Sequence, residues 1–183
     1  MISSSYKFKT LAIYSNVSKA KVFHGLHAGE VKGCGASVPE LTASDIEGAA
    51  TIVAQMGPEP FVQAMEAEPD FDIIIGGRAY DPSPYVAFCI FQAEKVLAAS
   101  GKTLTAEQLG GFTHMGKIME CGAICATPKS TSAMATVYQD GTFNIKPLNA
   151  DARCTPSSVA ARKCLTSYHS LQEDLGVERF CSF

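Results

Sequence analysis

The chain has 183 residues, 46% of them hydrophobic and 18% charged, with a net charge of −3. That length suits one domain with a buried core, and the composition excludes a disordered chain. The charge gives no electrostatic reason to expect nucleic acid as a partner.

No apolar run is long enough to span a bilayer, so no membrane association is expected. The segment Met1-Ile2-Ser3-Ser4-Ser5-Tyr6-Lys7 lacks the charged-then-apolar order of a secretory signal. The expected location is therefore the cytoplasm, a reducing compartment in which the seven cysteines are thiols. Most of them sit among apolar residues, where a thiol serves as a small buried hydrophobe.

Phe8 to Tyr14 reads as a first strand. Phe23 to Pro39, rich in glycine and carrying His24, His27 and Cys34, reads as a long loop, with the two histidines as surface decoration. Ser44-Asp45-Ile46-Glu47 is a capping-box pattern opening a helix through Ile46, Ala49, Ala50, Val53 and Ala54, which Gly57-Pro58 stops. A short helix, Pro60 to Ala67, leads to a strand at Phe71 to Ile75. Its three consecutive isoleucines fit a strand buried on both faces. After Gly76-Gly77-Arg78-Ala79-Tyr80-Asp81-Pro82 a helix runs from Ser83 or Pro84 to about Ala99, with Val86, Ile90, Ala93 and Leu97 on one face.

Thr105-Ala106-Glu107-Gln108 is a second capping-box pattern. Gly110-Gly111 interrupts, and a helical run is expected from about Thr113 to Cys125 until Pro128 breaks it. Met134 to Gln139 and Thr142 to Lys146, joined at Asp140-Gly141, form a two-residue hairpin pattern. Thr155-Pro156 starts a last helix. The pattern predicts an α/β fold, with a mixed or mostly parallel sheet, flanking helices and a C-terminal β-hairpin.

Two segments concentrate chemistry. Gly76, Gly77, Arg78 and Asp81 follow a strand's carboxyl end, where ligands sit in open α/β sheets. The glycines allow close backbone approach, and Arg78 is suited to a carboxylate or phosphate. Asp81 orients Arg78, binds a hydroxyl or ligates a metal; in the plainer alternative it caps the next helix and Arg78 pairs with it. In the second segment, His114, Lys117, Cys121 and Cys125 recur at i, i+3, i+7 and i+11 and share a face if the run is helical.

There His114 is a candidate base and Glu120 its partner or a separate acid. Cys121 is a second-rank nucleophile if Lys117 and His114 lower its pKa. A metal held by His114, Glu120 and Cys121 lacks the paired-cysteine spacing of a structural zinc site, and no metal ligand is assigned. The plainer alternative is a packed helix with buried thiols and a surface Lys and Glu. Asp151 and Arg153 form either a local salt bridge or an anion contact.

Gly76 to Pro82, His114 to Ala123 and Phe143 to Ala160 together resemble the acyclic terpene utilisation (AtuA-like) family, and Pro39 through Phe61 fits it too. The likeness covers roughly residues 10 to 160. It implies a place in catabolism of branched acyclic terpenoids such as citronellol and geraniol, through acyl-CoA intermediates. Family members are longer at both ends, so residues 1–183 are expected to form one incomplete domain with a divergent tail at 161–183. Association with itself or with a partner subunit is expected from the sheet surface such a domain exposes.

The leading reading is a protein that binds a small anionic ligand, a carboxylate or acyl-CoA, at Gly76, Gly77, Arg78, Asp81 and Lys117. Hydratase, isomerase or lyase chemistry then falls to His114, Glu120 and Cys121, with no cofactor identified. The alternatives are a non-catalytic subunit or interaction module, and an inactive fragment.

Overall fold

The computed structural model describes residues 7–160, so the tail at 161–183, with Cys164 and Cys181, lies outside the described residues. The fold is mixed α/β, built from small sheets and helices. It divides into one compact unit ending at Tyr80 and another beginning at Asp81.

The first unit is built on a parallel pair. Strand β1 (Thr10–Ile13) runs beside β4 (Ile73–Gly76), in the register Thr10↔Ile73 to Ile13↔Gly76. Residues paired this way share a face. Leu11, Ile13 and Ile74 lie on the partly covered side, where α3 (Glu59–Ala67) buries Phe61 and Met65. Phe61 presses so closely on Gly76 that a Cβ there would stand 2.6 Å from its ring.

Thr10, Ala12, Ile73 and Ile75 form the other side, and Ile75 is 61% exposed. The isoleucine run is therefore not buried on both faces. Among the described residues this sheet has only two strands, and one of its faces stays open.

Two expectations for this unit need correction. The presumed loop at Phe23 begins inside a helix, α1 (Lys19–His27). Ser18 caps it by accepting the Lys21 N–H, and Gly29 at φ 70° turns the chain out of it. Glycine content masked the helix, but Gly25 is buried, and a side chain there would press on Val31. The capping box is also offset. Thr42, not Ser44, is the N-cap, and Asp45 closes the box on helix α2 (Ala43–Gly48). The helix stops at Gly48 because Ile52–Val53 forms a strand, β3, antiparallel to β2 (Asn16–Val17).

In the second unit, α4 (Ser83–Ala98) packs on α5 (Ala106–Met119). Val86, Ala93 and Phe112 are buried together, with Ile90 and Val137 against them, as the apolar spacing predicts. The helices approach closely because Gly116 faces Pro82 and Val86 with no side chain of its own. Pro82 occupies the N-cap of α4 with no side-chain cap bond, so Asp81 does not cap it.

Thr105 and Gln108 close their capping box as expected. The helix then runs uninterrupted through Gly110-Gly111, contrary to the expected break. Gly111 is where the backbone of Gly141 lies against the helix, and any Cβ would collide with the Gly141 carbonyl. The glycine there serves packing.

The helix ends at Met119, and a 3₁₀ turn (Gly122–Cys125) follows. Cys121 and Cys125 therefore leave the helical face shared by His114 and Lys117. Strand β5 (Ala126–Thr127) pairs antiparallel with β8 (Arg153–Cys154), and β6 (Ala133–Val137) with β7 (Phe143–Pro147). The hairpin connection is longer than the two residues expected. Tyr138 and Thr142 bond across it, the Gly141 N–H closes on the Tyr138 carbonyl, and Gly141 takes φ 90°. That is a three-residue loop in which glycine supplies the left-handed position.

Residues 156–160 are helical after the Thr155 cap, as expected, and Asp151 and Arg153 form no ion pair. Among the described residues no helix is long and apolar enough to cross a membrane.

Candidate functional site

In the first unit, the loop after β4 is fastened to the loop after β1. The Gly77 N–H donates to the Ile13 carbonyl at 2.7 Å, and the Arg78 N–H donates to the Ser15 hydroxyl at 3.0 Å. The Arg78 carbonyl accepts from Met56 at 3.1 Å. A Cβ on Gly77 would lie 2.8 Å from Ser15 Oγ, so only glycine passes this point unstrained. Arg78 is exposed at the carboxyl end of a parallel strand pair, a position suited to holding an anion.

Ser15 was not singled out from the sequence. It is buried, and its signal was a hydroxyl directly after the first strand. Asp81 opens the second unit and is exposed.

The second unit holds His114 and Lys117 on the last turns of α5, with Glu120 and Cys121 directly after it. His114 is half-buried, and its ring meets Phe143 edge-on, with centroids 5.3 Å apart. Lys117 Nζ pairs with Glu120 Oε1 at 2.7 Å. Their side chains are only 20% and 6% exposed, so the surface placement of the plainer alternative does not hold. No donor among the described residues reaches Glu120 Oε2, which is buried. Buried polar atoms are almost always hydrogen-bonded, so this oxygen is available to a partner's proton.

Cys121 is partly exposed and free. Cys125, behind it, is buried, and its thiol is pushed up to about 11, mainly by that burial. Among the described residues no three His, Cys, Asp or Glu side chains cluster so as to hold a metal ion.

The same unit contains an open cavity of about 640 Å³, lined by Phe88, Cys89, Phe112, Met115, Met119 and Val137 among others. Its volume is within the range of small-molecule sites, and its wall is mostly apolar. Burial pushes the Cys89 thiol up to about 11, in keeping with its place in an apolar wall. The sequence reading missed this cavity. Tyr85, Phe88 and Val96 recur along α4 outside its Val86 stripe and stay exposed, a second apolar face that one-sided amphipathicity does not explain.

A family model described as acyclic terpene utilisation family protein AtuA matches residues 15–172. No curated protein and no solved structure matches the chain.

Proposed function

The chain belongs to the acyclic terpene utilisation family, and from that membership we propose that its second unit binds a branched apolar acid, or its coenzyme A thioester, and transfers a proton on it. The observation that carries this reading is Glu120. One carboxylate oxygen is neutralised by Lys117, while the other is desolvated with no donor supplied by the described residues. Leaving such an atom unpaired costs about 1–3 kcal/mol, which a ligand's proton offsets. The apolar cavity of the same unit supports a hydrocarbon ligand body.

In this reading Glu120 is the acid–base group, Lys117 its charge partner, His114 a second proton carrier and Cys121 a nucleophile in reserve. A hydration, isomerisation or elimination needs these groups and no redox step. The loop of Gly76, Gly77 and Arg78, with Asp81 after it, is proposed as a separate anion-recognition site, its guanidinium suited to a carboxylate or phosphate.

The test uses the full chain with citronellic and geranic acids and their coenzyme A thioesters, following binding by calorimetry and products by mass. Glu120→Gln is expected to weaken binding about tenfold, through the lost acceptor, and to lose a further factor of about 10²–10⁴ in turnover. Arg78→Ala tests the first unit's loop by itself and is expected to weaken inorganic phosphate or acetate binding there at least about tenfold, the loss of one charge-assisted contact. Binding without turnover by the unaltered chain would establish a binding module instead. Full turnover by Glu120→Gln would remove the proton-transfer role.

A further inference from the structure

Outside the roles assigned above, two thiols lie against each other. Cys125 Sγ and Cys154 Sγ are 3.8 Å apart, although 29 positions separate them in the chain. The β5–β8 ladder holds them there: Cys154 is in register with Ala126, the residue after Cys125. Both are free thiols, Cys125 buried and Cys154 partly exposed.

We propose that Cys125 and Cys154 are a redox modification site, closing to a reversible disulfide by exchange with a low-molecular-weight disulfide of the glutathione type. Geometry favours this pair, because sulfurs in contact across an ordered ladder need only a small side-chain rotation to bond.

The exchange begins at Cys154, the accessible member. Its thiolate displaces one half of the small disulfide, forming a mixed disulfide and releasing one small thiol. Cys125 then gives its proton to solvent and attacks the Cys154 sulfur, forming the protein disulfide and expelling the second small thiol. Two protein thiols lose two protons and two electrons in all, and the small disulfide gains them. Burial keeps the Cys125 thiolate scarce, which slows the second step, while the contact distance works in its favour. The bond would anchor the end of the 3₁₀ turn that follows Glu120 and Cys121.

The test incubates the native, reduced full chain in oxidised and reduced glutathione mixtures. Remaining thiols are alkylated, and proteolytic peptides are mapped by mass without reduction. The expected result is a peptide linking the Cys125 and Cys154 segments, reversed by added reduced glutathione. Because Cys121 shares a tryptic peptide with Cys125, three variants assign the bond. Cys121→Ser retains the link, whereas Cys125→Ala and Cys154→Ser abolish it, and Cys125→Ala stops at the mixed disulfide. Three results would each overturn the proposal: no link in the native unaltered chain, a link formed only in denaturant, or a link that persists in Cys125→Ala. The first two are read on the unaltered chain and do not depend on a variant folding.

Discussion

At the residue scale, the pairing of Lys117 with Glu120 has a cost that appears when it is broken from one side. Lys117→Met leaves a desolvated carboxylate uncompensated and is expected to destabilise the chain by about 2–3 kcal/mol, somewhat below a fully buried pair because the lysine is partly exposed. The double variant Lys117→Met with Glu120→Gln removes the stranded charge and is expected to recover more than half of that loss in urea unfolding. Strictly additive losses would show that the pair is not coupled. The sequence made both residues visible as chemistry, since His, Lys, Glu and Cys crowd ten positions. It did not reveal their burial, because a Lys and a Glu three apart on a helix look like a solvated surface pair. What encloses them comes from the fold.

At the scale of elements, adjacent glycines in α5 have opposite consequences. Gly110 faces open space, and Gly110→Ala is expected to stabilise by about 0.5–1 kcal/mol through helix propensity. Gly111 lies against the Gly141 backbone, and Gly111→Ala is expected to destabilise by about 1–3 kcal/mol through overpacking. Thermal unfolding of the two variants reads the contrast, and equal effects would show that the helix–hairpin approach is not tight. Local signals made much of this level legible: the Thr105–Gln108 box, the α4 stripe and the Thr155 cap are all present as expected. Two of the misreadings share one cause. A glycine pair that signals a break in isolation signals close packing once a distant hairpin docks on it, and α1 was hidden by its own glycine in the same way.

For the whole molecule, stability is expected to fall at both ends of the pH scale. Hydrogen bonds from Thr42 and Thr142, the interaction with Lys9, and backbone and Thr105 contacts hold Asp45, Asp140, Asp70 and Glu107 respectively below their ordinary values of 3.8 and 4.5. A lowered carboxylate contributes stability that is present above its unfolded value and lost as pH falls through the folded one, so stability begins to decline below about pH 4. Cys125 and Cys89 are raised from 9.0 to about 11, so their contribution is intact below about pH 9 and is lost as pH rises from there towards 11. Urea midpoints measured from pH 3 to pH 11 check both limbs, and a flat alkaline limb would mean that these thiols ionise freely in the folded chain. The α/β class was readable from alternating element types, whereas the open side of the β1–β4 pair was not. Apolar runs report what a strand prefers to bury, and the number of layers above it is set elsewhere.

Ser15 gives the first strand a say in how Arg78 is presented. One hydroxyl, seated where Gly77 has no side chain, fixes the path of a loop 63 residues further along. The shape of that loop is thus set in part at the exit of β1. A change at either position shifts the meaning of a change at the other, and a survey of loop substitutions that leaves Ser15 untouched samples only one background of a two-part design.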